Sequence, residues 1–133
     1  MGVERIRTYL AGAFESLERL RPIKARLNAM GHEVISTWLE EEALPHSGGK
    51  RAEEVISHEQ CLAYAVRDLD EIHTANLLLV DTMDQTVRGG REFEAGYARG
   101  LGLPVVVIGP RRNVFHHDVE HYETWDEYFA GRS

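Results

Sequence analysis

Two nearly unbroken apolar runs, Asn76–Asp81 (NLLLVD) and Pro104–Gly109 (PVVVIG), mark the second half of the chain. Strands buried on both faces read this way. Arg7–Ala11 (RTYLA), closed by Gly12, and the segment HEVIST from His32 predict two more strands. Between them Leu17, Leu20, Ile23, Leu27 and Met30 recur at helical spacing, and Gly31 is a suitable stop. Pro22 fits only near a helix start, so this helix begins somewhere between Glu15 and Pro22. Arg51–Ala75 is helical in composition, with Val55, Ile56, Leu62, Ala65, Leu69 and Ile72 as buried positions. Another helix opens near Arg91, and the tail VEHYETWDEYFA predicts a short edge strand and a last helix from about Thr124.

Strand and helix therefore alternate. That order predicts a single-domain α/β protein: a parallel sheet of four to five strands with helices on both faces. Ligands of such sheets bind beyond the carboxyl ends of the strands. Those ends are Ala11–Phe14, Thr37–Glu40, Asp81–Arg91 and Gly109–Asn113. The polar stretch Leu39–Lys50, with Pro45 and a glycine pair, reads as a long surface loop of the kind that often carries function.

Composition narrows the choice. A chain of 133 residues favours one domain, and a net charge of -7 argues against nucleic-acid polymers and membrane surfaces as partners. A small anion held by a local basic cluster is still compatible with that charge. The single cysteine, Cys61, has no intramolecular partner, which points to a reducing cytoplasm and to a core position. No apolar stretch reaches the ~20 residues of a membrane span, and MGVERIRTYLAG lacks the apolar centre of a secretory signal.

Within the helix after Arg91, Glu94 shares a face with Tyr97, Ala98 and Leu101, the packed side, whereas Glu92 shares one with Ala95, Gly96 and Arg99 and is set to pair with Arg99. An inward carboxylate near the strand ends suits a nucleophile or general base. The alternative is a structural charge that only complements the helix dipole, worth ~0.3–1 kcal/mol. Gly89 and Gly90, flanked by Arg88 and Arg91, form either an anion or sugar-hydroxyl site at a helix N-terminus or a simple flexible turn. Asp68, on an otherwise apolar side with Ala65 and Ile72, is either a site acid or a surface helix charge, and Asp70 is solvated on the face of Arg67 and His73. Tyr9, Gly12 and Phe14 lie near the end of the first strand. Tyr9 either bonds an acid such as Glu94 or fills the core; Gly12 lets a ligand approach the backbone. Trp38 either stacks on a flat base or packs. His117 and His121 have the i, i+4 spacing of a helical zinc site, but their β-leaning context argues against a helix. No metal or cofactor is expected.

Four pieces in order, TYLAGAF (Thr8–Phe14), GHEVISTW (Gly31–Trp38), RDLDEIHTANLLLVD (Arg67–Asp81) and GGREFEAGYARGLGLPVVVIG (Gly89–Gly109), resemble the nucleoside 2-deoxyribosyltransferase superfamily, which includes nucleotide N-glycoside hydrolases. The resemblance implies a flavodoxin-like or Rossmann-like fold, no cofactor, and a nucleoside or nucleoside 5′-monophosphate as the small-molecule substrate. It implies Glu94 as the nucleophile at the anomeric carbon, Asp68 holding the sugar or protonating the leaving base, and Tyr9 orienting the nucleophile. It also implies a homodimer or larger homo-oligomer. The pattern departs at Arg88, where the transferases carry another carboxylate, and around Thr86, where the hydrolases carry a serine-glycine loop. Arginine beside glycine amides favours a 5′-phosphate, with Arg111, Arg112 or Asn113 as further contacts to a phosphate or a neighbouring subunit.

Overall fold

Strand β3 (Leu77–Asp81) is buried at every position and lies at the centre of a five-stranded parallel sheet. The computed structural model describes residues 5–41, 57–85 and 89–132. The other strands are β1 (Ile6–Ala11), β2 (His32–Val34), β4 (Val105–Ile108) and β5 (Glu120–Tyr122), in the order β2-β1-β3-β4-β5. All four pairings are parallel. This is the flavodoxin-like order, whose switch point lies between β1 and β3.

Helices α2 (His58–Thr74) and α3 (Gly90–Gly100) pack together and against β1, with α3 also against β3 and β4. On the other face lie α1 (Leu17–Ala29) and α4 (Trp125–Arg132), joined where the Arg26 guanidinium stacks 4.0 Å from the Phe129 ring centroid. Leu20 and Leu27 of α1 and Trp125, Tyr128 and Phe129 of α4 fill the core on that side. Gly109, which closes β4, has φ +123°, and a Cβ there would lie 2.6 Å from Thr82 Oγ1, so the turn beside the end of β3 requires glycine.

Several local expectations are corrected. Pro22 lies inside α1, not near its start; burial of Leu17, Leu20 and Leu27 along one face outweighs the backbone bond that proline forfeits. Met30 is exposed where the chain leaves α1. Strand β2 stops at Val34 because Ser36 turns inward to accept Leu10 N at 3.0 Å. A 3-10 turn, Thr37–Glu40, follows, fixed at its start by the Glu71 carboxylate, which accepts from Thr37 N (3.1 Å) and Oγ1 (2.5 Å). On α2, Ile72 is buried but Leu62 and Ala65 are exposed, and Cys61 is only partly buried. Val55, Ile56 and most of the Leu39–Lys50 stretch lie outside the described residues. The tail forms β5 and α4 as expected. Among the described residues no helix is long and apolar enough to cross a membrane.

Candidate active site

Gly89, with φ +83°, turns the chain into α3 and sets the helix so that Glu94, in its second turn, faces β1. Tyr9, fully buried on β1, donates its hydroxyl to Glu94 Oε2 at 2.6 Å. Glu94 itself keeps partial exposure. Burial pushes its carboxyl up to about 8; the Tyr9 hydrogen bond opposes the rise, and the nearby Asp68 charge adds to it. Burial and then the Glu94 charge push the Tyr9 phenol far above its ordinary range, so Tyr9 stays a protonated donor.

Asp68 approaches the same place from α2, and its charge and hydrogen bonding help to raise the Glu94 carboxyl. Its carboxyl is also raised, first by burial and further by the charges of Glu71 and Glu41, against the pull of two hydrogen bonds from Arg67. Two carboxyls in contact do not both ionise freely, so near neutral pH they hold a proton between them. The arrangement supplies an anionic oxygen and an acid side by side, oriented by a phenol. The carboxyl of Glu94 and the hydroxyl of Tyr9 thus meet as the inward-facing pattern predicts, and Asp68 joins them.

The other sequence-predicted residues are arranged differently. Trp38 is buried, donates Nε1 to the Leu10 carbonyl at 2.8 Å and packs 6.2 Å from the Phe14 ring; it is a core residue. A Cβ on Gly12 would meet Leu20 Cδ1 at 2.8 Å, so close packing accounts for this glycine. Arg91 is not an exposed anion-binding cation. It is buried, and its guanidinium donates to the carbonyls of Asp81 (3.4 Å) and Asp84 (2.8 Å) and to Glu92 Oε2 (2.9 Å). Glu92 does not pair with Arg99. Its Oε1 accepts from His116 Nε2 (2.7 Å) and Asn113 Nδ2 (3.2 Å), while Arg99 pairs with Asp118. Burial favours the neutral Glu92 acid, yet the His116 and Arg91 hydrogen bonds outweigh it and hold the carboxyl below its usual range.

Asn113 also accepts from Phe115 N and His116 N, which caps the 3-10 turn Val114–His117. Arg111 donates to the His116 carbonyl, and Arg112 to the carbonyls of Thr82 and Met83. Gly89 and Gly90 are exposed at the start of α3, and Arg88 lies outside the described residues. Gly89 and Asn113 line a groove of about 510 Å3 with Phe93, Ala95, Val105 and Phe115, on a different flank of α3 from the Tyr9–Glu94 bond. His121 Nε2 bonds the Gly109 carbonyl, and no group of three or more metal-ligating side chains occurs among the described residues.

Three residues around the site escape the periodicity reading. Arg67 turns to Asp68 and Glu41 instead of standing beside Asp70. Glu41 closes the turn after β2. Asp81, at the end of β3, is wholly buried and binds Arg19 and Trp125. Their signal is only the presence of charge next to strand ends.

A five-stranded parallel sheet of this order, with a carboxyl pair beside its central strands, defines the structural class. Among solved structures, a 2-deoxyribosyltransferase from the psychrotolerant bacterium Bacillus psychrosaccharolyticus is similar, with a TM-score of 0.71 and 24% identity over 95% of each chain. A CMP N-glycosidase from Clostridium botulinum is also similar, with a TM-score of 0.59 and 20% identity over 94% of this chain and 96% of that one. The chain has the Rossmann-like fold of these two enzymes. No family model matches it, and no curated protein matches it.

Proposed function

We propose that this protein cleaves or exchanges the N-glycosidic bond of a nucleoside, deoxynucleoside or nucleoside 5′-monophosphate, with Glu94 as nucleophile. The observation that carries the reading is the Tyr9–Glu94–Asp68 constellation, in which a buried phenol holds one oxygen of a carboxyl that also meets a second acid. The likeness to a 2-deoxyribosyltransferase and a CMP N-glycosidase supports it.

Breaking a C–N glycosidic bond develops positive charge at C1′ and negative charge on the departing base. Ionised Glu94, oriented by Tyr9, stabilises or traps the first. Asp68, carrying the pair's proton, holds the sugar or protonates the base. The glycosyl intermediate then passes to a second base or to water. Gly89 and Gly90, at the N-terminus of α3, are where the positive end of the helix favours a 5′-phosphate. The protein works as a homodimer or larger homo-oligomer in this reading, supported by the exposed side chains of Phe93 and Phe115 around one groove.

The test incubates the protein with nucleosides and nucleoside monophosphates and follows free base by chromatography, with and without an acceptor base. Base release that falls about 10³-fold in Glu94→Ala is the expected result, the size lost when a charge stabiliser is removed from a reacting centre. Equal release by Glu94→Ala removes Glu94 as nucleophile. Ligand binding with no release from any substrate leaves a non-catalytic nucleotide-binding module on the same fold. Light scattering reads the assembly.

A further inference from the structure

Arg67 precedes Asp68 on α2, and helical geometry points their Cβ atoms about 100° apart. The guanidinium nevertheless folds back. Nε and Nη2 donate to the same oxygen, Asp68 Oδ1, at 3.0 and 2.9 Å. Nη1 pairs with the Glu41 carboxylate, and the guanidinium carbon sits 5.1 Å from the Tyr64 ring centroid. Glu41 is itself anchored: its N–H donates to the Trp38 carbonyl at 3.2 Å, and its own carbonyl accepts from Arg21. The arginine is therefore held on three sides, between the segment after β2 and the carboxyl pair.

We propose that Arg67 is a positioning residue that fixes Asp68 against Glu94 and keeps the proton they share on Glu94 in the unliganded protein. The groups facing the pair are Tyr9 from β1, Glu41 from the segment after β2, and Arg67 and Glu71 from α2. Glu41 and Glu71 favour a protonated Asp68; Arg67 opposes them with two hydrogen bonds and its charge. Glu94 feels Arg67 by charge alone, more weakly than it feels Asp68. The arginine thus stabilises the Asp68 anion more than the Glu94 anion. On the glycosidic reading above, on which the consequence rests, drawing Arg67 off Asp68 sends the proton from Glu94 to Asp68. One transfer then creates both the nucleophile and the acid.

The experiment is a carbon-detected NMR titration of side-chain carboxyls in the full chain, with Glu94→Gln and Asp68→Asn used for assignment. In the unmodified protein Glu94 is expected to titrate above Asp68. In Arg67→Met the order is expected to reverse, and the Glu94 ionisation limb of kcat/KM for base release moves to lower pH. Arg67→Lys keeps the charge but not the fork, so the gap narrows without reversing; it carries the test should Arg67→Met fail to fold. An unchanged gap in the folded variants overturns the proposal. Reversal in a protein that releases no base retains the proton placement and removes the glycosidic reading, whereas base release without reversal removes the role of Arg67 alone.

Discussion

The Tyr9 hydroxyl and Glu94 Oε2 lie 2.6 Å apart, a bond that joins the first strand to a helix 85 residues later in the chain. It does two things to the carboxyl: it orients one oxygen and it opposes the burial that favours the neutral acid. A hydrogen bond to a charged group contributes about 1.5–3 kcal/mol. Tyr9→Phe keeps the ring in the core and deletes only that bond. It is expected to lower kcat by about 10- to 100-fold and to move the Glu94 limb of the pH profile upward. Steady-state base release across pH checks both. An unmoved limb means the two groups are not bonded in the working protein.

Glu94 also makes stability depend on pH in a direction unusual for an acid. Its carboxyl rises from 4.5 in the unfolded chain to about 8 in the fold. Between those values the folded state binds more protons than the unfolded state, so stability falls as pH rises through the window. Its contribution is fully present below the lower value and lost through the upper one. Raised Asp68 acts with the same sign. Glu92 and Asp84, both lowered, act oppositely, and their contribution disappears only as pH falls through the acid range. Stability should therefore peak on the acid side of neutrality, with a slope toward alkaline pH of at most about 1.4 kcal/mol per unit for one proton. Partial exposure of Glu94 reduces it. Glu94→Gln removes its share, so urea midpoints of the variant should overtake those of the parent as pH rises. Parallel curves for the two proteins contradict the buried-acid description.

Periodicity reads where a Cα–Cβ bond points, and the readings that succeeded needed no more than that. Leu77–Asp81 and Val105–Ile108 are strands because both their faces are covered. Glu94 and Asp68 are visible as acids on otherwise apolar helix faces. The same reasoning misses Arg67, because a long flexible stem lets its guanidinium return across its own helix to the next residue. It misjudges Arg91, whose setting among glycines and another arginine imitates an anion site. In the fold the carbonyls at the end of β3 need donors, and Arg91 provides them from a buried position. Trp38 takes the packing alternative of its two readings: it is buried, and its indole N–H goes to the Leu10 carbonyl. Long-range satisfaction of backbone groups is set by tertiary packing and leaves no periodic trace.

Asp81 is the clearest case of such a tie, and its energetics can be measured. Oδ1 accepts from Arg19 Nη2 at 2.6 Å and Met83 N at 3.2 Å; Oδ2 accepts from Arg19 Nη1 at 3.0 Å and Trp125 Nε1 at 2.6 Å. One carboxylate thus joins β3 to α1 and α4. Its side chain is wholly buried, whereas that of Arg19 is 39% exposed and also reaches Asp84. Removing either partner has unequal consequences. Asp81→Asn directs an amide N–H₂ at donors and leaves Arg19 free to turn to water and Asp84. Arg19→Met instead leaves a buried anion with only the indole and one backbone N–H among these four bonds. Each change should cost about 2–4 kcal/mol, below the range for fully enclosed pairs because Arg19 is partly solvated. The double variant should lose less than the sum, because the second substitution removes the charge that the first stranded. Urea titrations of the parent, the two single variants and the double variant give the coupling directly. Additive losses would mean that Asp81 is held by the indole and backbone alone, with Arg19 contributing nothing to the junction.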